Sequence, residues 1–188
     1  MKLILMWIVC PELNMLDATL MTITAAHTAA HRPFLQRVLF WGCFSDDGGQ
    51  GPLVFINGTM NSERYKQTLG EHLRPYQAEH FPNRDDIFQQ DNAPCHQSRS
   101  SVAFLQQNGI TTLPWPPYSP DLNLIENLWG YMKKIIHRRG FTTKSDLIAA
   151  VNDLWHSEEL REQCSRLCDS MSDRIKACIL NKGGYTSY

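Results

Sequence analysis

DIFQQDNAPCH, residues 86–96, is the stretch that decides how this chain is read. Asp86 to Gln90 is a short run with β-branched and aromatic side chains, the pattern of a strand. It ends at Asp91, and Asn92-Ala93-Pro94 is a turn that neither strand nor helix continues through. Asp91 therefore stands at the carboxyl end of a strand. That is where an open α/β sheet presents side chains to a ligand.

The chain on either side supports such a sheet. Upstream, RVLFWGCF (37–44) and PLVFI (52–56) are apolar runs of strand type. SDDGGQG between them supplies Gly48, Gly49 and Gly51 for a hairpin loop. Asn61 or Ser62 can cap a helix from Glu63 to Glu79, with Tyr65, Leu69, Leu73 and Tyr76 on one face. Downstream, a helix is predicted over Ser98–Asn108, ended by Gly109, followed by a fourth short strand, Ile110–Leu113. PWPPYSP (114–120) stops that strand. Ser119 as cap and Pro120 as first residue open a helix to His137. Thr143 or Ser145 caps another to Trp155, and 158–180 form one more. Strands first, then strands interleaved with helices, give a mixed α/β sheet with flanking helices.

Composition agrees with one globular domain. The 188 residues are 43% hydrophobic and 20% charged, which excludes a disordered, collagen-like or coiled-coil chain. With 18 basic against 19 acidic residues the net charge is −1, so a uniformly basic nucleic-acid coat is excluded. The charge is uneven, however: residues 127–188 carry ten Lys/Arg and seven Asp/Glu, while the rest is acidic. Six cysteines lack any CxxC pairing, which fits reduced, mostly buried thiols better than zinc or a disulfide scaffold. LILMWIVC after Lys2 is too short for a membrane span. It reads as a strand in preference to a signal sequence, whose secreted, glycosylated reading would use the Asn57-Gly58-Thr59 sequon.

The chemistry lies in two carboxylates. Glu126 belongs to the helix after the prolines, with 34 residues between it and Asp91. If that helix returns to the strand end, the two carboxylates repel each other and a divalent cation relieves the repulsion. An all-oxygen site of this kind suits Mg²⁺ or Mn²⁺. The plain structural alternative is an Asp91 that accepts hydrogen bonds from its own turn and a Glu126 paired with Lys133.

QQDNAPCH (89–96) and PWPPYSPDLNLIENLW (114–129) resemble the catalytic-domain signatures of the Tc1/mariner transposases. VLFWGCFS, GPLVFINGTMNSERY and RIKACILNKGGYTSY are similar to further segments of that family, so the resemblance covers about residues 37–188. It implies a ribonuclease-H-like fold and a three-carboxylate, two-metal site that cuts a DNA phosphodiester and joins the freed 3′ hydroxyl to target DNA. Asp91 matches the second carboxylate and Glu126 the third. The first, an Asp on the opening strand in an FSDE-like motif, has no match. Neither Asp17 nor Asp46 and Asp47 fits, and Leu124 stands where the family usually has Pro. The expectation is thus a ribonuclease-H-like domain at 37–188 with its first strand missing or replaced, behind an atypical segment 1–36. With two carboxylates Mg²⁺ or Mn²⁺ would be weakly held.

Two readings follow: a transposase-type catalytic domain for metal-dependent DNA cleavage and transfer, incomplete relative to the family, or an inactive DNA- or protein-binding derivative of one. DNA is the expected partner, met without sequence specificity because the family's helix-turn-helix region has no counterpart in these residues. Lys133, Lys134, Arg138 and Arg139 are the candidate phosphate contacts, with His96 beside the metal carboxylates. A solvated helix end with dipole-favouring cations explains the same cluster, and a turn-stabilising role explains His96. Trp115 is expected in the core. The reading implies nuclear action, leaves a homodimer open, and calls for neither a membrane nor a small-molecule substrate.

Overall fold

The computed structural model describes residues 2–9, 38–45, 49–139 and 141–188. Most of the atypical segment 1–36, with Cys10 and Asp17, and also Asp46, Asp47 and Gly140, lie outside the described residues. Four strands, β1 (Lys2–Val9), β2 (Leu39–Ser45), β3 (Gln50–Ile56) and β4 (Asp86–Gln89), form one sheet in the order β3-β2-β1-β4. β2 pairs antiparallel with both β1 and β3, which makes the expected hairpin, and β1 pairs parallel with β4. Where the opening strand is expected to be missing or replaced, Lys2–Val9 supplies a strand, β1, in the same sheet as the strands beyond residue 37.

Helices cover both faces. On one side lie α1 (Ser62–Thr68), a π-helical stretch Leu69–Leu73, α2 (Arg74–His80), α3 (Pro94–Gln97) and α4 (Arg99–Gln107). Tyr65, Leu69, Leu73 and Tyr76 bury the predicted face against Leu39, Trp41, Cys43 and Phe88. On the other side lie α5 (Leu124–His137), α6 (Lys144–Trp155) and α7 (Glu158–Asp169), followed by α8 (Met171–Leu180). Val38, Phe40 and Phe44 meet Leu128, Trp129, Val151 and Trp155 there. β2 is therefore buried on both faces, which its unbroken apolar run requires. Gly42 keeps one face flat: a Cβ there would stand 3.0 Å from the Trp155 ring. That ring stacks on Trp129 at 5.5 Å and donates its N–H to the Gly51 carbonyl at 2.9 Å.

Three expectations are corrected. Ile110–Leu113 forms an isolated parallel bridge, Thr112 to Phe88, instead of a strand. The prolines that follow cannot donate to a ladder. The helix expected from Pro120 begins at Leu124, because residues 120–123 close a turn in which Asn123 N–H donates to the Pro120 carbonyl at 3.0 Å. Ser119, expected as its cap, turns its hydroxyl to the Pro117 carbonyl instead. The single helix expected over 158–180 is two, parted at Ser170, whose hydroxyl donates to the Leu167 carbonyl at 2.6 Å. Other ends follow the sequence: Asn61 and Thr143 each cap a helix with the side chain, and Gly109 takes φ +64°, while Ser98, expected as the first helical residue, caps α4 instead.

Candidate metal and nucleic-acid site

A cleft of about 420 Å³ opens between the end of β4, the proline-rich segment and the first turn of α5. Asp91 and Glu126 both line it, the first lying two residues beyond the end of β4 and the second on α5. The later helix start puts Glu126 in the first turn of α5 instead of two turns in.

Asp91 is held from its own turn. Its Oδ1 accepts from the Ala93 N–H at 2.8 Å and lies 2.5 Å from His96 Nδ1. No protein donor reaches Oδ2 among the described residues. The His96 ring is fully buried and lies against the Tyr65 ring, centroids 4.5 Å apart. Tyr65 in turn donates its hydroxyl to Gln90 Oε1. Burial disfavours a charged imidazole, but hydrogen bonds to Asp91 and Cys95 outweigh it and raise the His96 pKa to about 9. The ring is then a cation at neutral pH, in contact with the carboxylate. The His96 ring is enclosed beneath Asp91, in contact with its carboxylate and within its turn.

Glu126 reaches solvent at the cleft. Partial loss of hydration raises its pKa, Lys133 opposes the rise, and the negative charge of Asp91 adds to it. The two carboxylates thus feel each other, as the pairing of strand end and helix requires. Asn123, which also lines the cleft, is 1% exposed, and among the described residues both polar atoms of its amide lack a partner. Among the described residues no group of three or more His, Cys, Asp or Glu is placed to hold a metal ion. β1 neighbours β4 and its sequence, KLILMWIV, contains no acidic residue.

The basic residues lie apart from the cleft. Lys133 follows Glu126 by seven positions, two turns along the same helix face and roughly 10 Å away along the axis. Lys133 is half-buried, Lys134, Arg138 and Arg139 are exposed, and none of the four lines the cleft. Trp115, expected in the core, is half-buried in the cleft wall, and its carbonyl accepts from Asn92 Nδ2 at 3.0 Å. Tyr118 beside it is 87% exposed with φ +56°. Sequence reasoning missed Tyr65, Gln90 and Asn123 as parts of the site. Tyr65 was visible only as one apolar position of a helix, and Asn123 as one polar position before an apolar run.

A family model described as the DDE superfamily endonucleases matches residues 27–148. The chain is 35% identical over 153 residues to the transposable element Tc3 transposase of Caenorhabditis elegans, covering 80% of this chain and 46% of that protein. It is 34% identical over 151 residues to the transposable element Tcb1 transposase of Caenorhabditis briggsae, covering 80% and 54%. The chain spans about half the length of these relatives. Among solved structures, the Mos1 transposase catalytic domain with raltegravir and Mn superposes with a TM-score of 0.73 at 22% identity, covering 82% of this chain and 80% of that one. The Mos1 strand transfer complex gives a TM-score of 0.78 at 21% identity, covering 98% and 56%. At these identities the superpositions speak to the fold, and the fold they share is ribonuclease-H-like.

Proposed function

Because this chain belongs to the Tc1/mariner transposases of the DDE endonuclease superfamily, we propose that the Asp91/Glu126 cleft acts on DNA phosphodiesters with a divalent cation. The observation that carries the proposal is the convergence of the two carboxylates on one cleft, while no donor among the described residues reaches Asp91 Oδ2. A free carboxylate oxygen on each side suits a hard cation, Mg²⁺ or Mn²⁺. Mn and Mg are named in the Mos1 catalytic-domain structures that share this fold. When bound, such an ion neutralises charge on a phosphate and lowers the pKa of an attacking water.

The chain's own residues supply the rest. Ala93 N–H and His96 orient Asp91, so its carboxylate does not need to reorganise when a cation arrives. Asn123 offers an unpaired amide to a group seated in the cleft. Lys133 and Lys134 on α5, with Arg138 and Arg139 just past its end, continue from Glu126 as a basic track for the DNA backbone, independent of sequence. On nuclear DNA this would serve strand cleavage and transfer.

A second reading has its own support. With no carboxylate in β1, the cation has two acidic ligands, and a pair of ions is under-coordinated. The domain would then hold DNA at the cleft without cutting it. Nicking of supercoiled plasmid in Mn²⁺ separates the two. The catalytic reading expects nicked circles that vanish, at least 100-fold, in Asp91→Asn and Glu126→Gln. Absence of nicking, with salt-sensitive retention of the plasmid by wild type, would instead establish the holding module.

A further inference from the structure

The carboxylate of Glu126 depends on how the start of α5 is anchored, and its anchors come from a distant part of the chain. Arg174 of α8 is 3% exposed, unusual for a guanidinium. Its Nη1 donates to the Asp121 carbonyl and, at 2.9 Å, to Asn127 Oδ1, while Nε donates to Ser170 Oγ at 2.8 Å. Asp121 lies in the turn before α5, and Asn127 follows Glu126. One buried cation therefore ties both sides of the carboxylate's turn.

A second set of bonds closes over the first. Asp121 Oδ2 accepts from the Thr186 N–H at 2.9 Å and from the Thr186 hydroxyl at 2.8 Å. The Tyr188 ring lies 4.7 Å from the Arg174 guanidinium carbon, covering the charge. Asn181 Nδ2 donates to the Tyr185 carbonyl at 2.6 Å, and Gly183 at φ +82° lets the segment fold back. Residues 183–188 thus run out of α8 and return onto the turn that sets Glu126.

We propose that Arg174, Asp121 and Thr186 form a latch that fixes the Glu126 carboxylate for cation binding, making Arg174 and Thr186 positioning residues of the site. The proposal rests on the function proposed above and adds residues that touch neither carboxylate. A latch of this kind differs from general packing in one respect. Its removal loosens residues 121–127 and leaves the Asp91 turn intact.

The test uses the full chain and Mn²⁺ alone, with affinity read from the electron paramagnetic resonance of the free ion. Thr186→Val, which lacks the hydroxyl, is expected to weaken Mn²⁺ binding about 3- to 10-fold, and Arg174→Met about 10-fold or more. Thr186→Ser, which keeps both donors, is expected to restore wild-type affinity. Amide hydrogen exchange should quicken at least 10-fold over residues 121–127 in Thr186→Val, with residues 89–97 unchanged. Wild-type affinity in Thr186→Val, or exchange at 121–127 equal to wild type, overturns the latch. Should Arg174→Met fail to fold, the Thr186 pair alone decides. If Mn²⁺ binds wild type and Glu126→Gln equally, the proposed function fails, and hydrogen exchange then decides the latch: acceleration supports it and no change overturns it.

Discussion

The two halves of the cleft are built on opposite plans. The Asp91 half is local: its carboxylate is held by Ala93 and His96, two and five residues on, with Tyr65 under the ring. The Glu126 half is remote: its helix start is tied by Arg174 and Thr186, and its helix is seated on α6 by the Trp129–Trp155 stack. A local plan survives loosening elsewhere in the molecule. A remote plan makes Glu126 the half through which distant changes act.

The hardest blow to this asymmetry is Trp155→Ala. It removes a fully buried indole that stacks on Trp129 of α5 and bonds Gly51 of β3. Loss of about 3–5 kcal/mol is expected from urea unfolding. Where the variant still folds, exchange should quicken across α5 before it changes at residues 89–97. Equal acceleration on both sides would break the comparison.

This difference also governs what could be read from the amino-acid order. QQDNAPCH states its own structure, because Asp91, the turn-forming Asn92-Ala93-Pro94 and His96 fold within eight residues. The strands at Leu39–Ser45 and Gln50–Ile56 and the caps at Asn61 and Thr143 were legible for the same reason. The start of α5 was misread because Ser119 and Pro120 look like a helix opening, yet Asp121 is claimed by Thr186, 65 residues on. No local pattern announces that. The break at Ser170 was hidden likewise, its hydroxyl serving both the Leu167 carbonyl and Arg174. β1 was legible as an apolar run, but its parallel pairing with β4 depends on the whole sheet.

The second perturbation strikes the local half. His96→Ala removes the ring between Asp91 and Tyr65, leaving a cavity and one bond fewer on the carboxylate. About 2–4 kcal/mol of stability should be lost, as seen in thermal unfolding. Mn²⁺ binding should weaken while exchange at residues 121–127 stays as in wild type. A change there would show that the halves are coupled after all.

Each half also encloses one thiol, and pH compares them without mutation. Cys43 lies on the Asp91 side of the sheet and Cys164 on the Glu126 side. Burial raises the Cys164 pKa to about 12 and that of Cys43 further still. Unfolded thiols ionise near 9, so above that pH the unfolded chain releases protons that the folded chain keeps. Stability from these thiols is therefore full below pH 9 and falls as pH rises, by about 1.4 kcal/mol per pH unit per thiol. Urea midpoints between pH 8 and 10.5 should decline accordingly. Replacing Cys164 with Ala should remove one thiol's share of the slope, and a slope unaffected by that change would mean that Cys164 is not enclosed as described.

The smallest perturbation sharpens the contrast most, because it acts on a single turn. Ser98 caps α4: its hydroxyl oxygen accepts from the Ser101 N–H at 3.2 Å and its hydroxyl donates to Ser101 Oγ at 2.8 Å. Ser101 in turn donates to the Cys95 carbonyl at 2.6 Å, next to His96. Ser98→Ala should cost about 1 kcal/mol, an ordinary cap loss. The effect should stay local, with faster exchange at residues 94–102 and none at 121–127. It should also reach Asp91 only weakly, since the Ala93 N–H bond lies on the other side of the turn from the cap. A loss of cap energy that spreads to α5 would mean that the cleft behaves as one cooperative unit. Confinement to α3 and α4 would mean that the strand-end carboxylate is set before the helix carboxylate arrives.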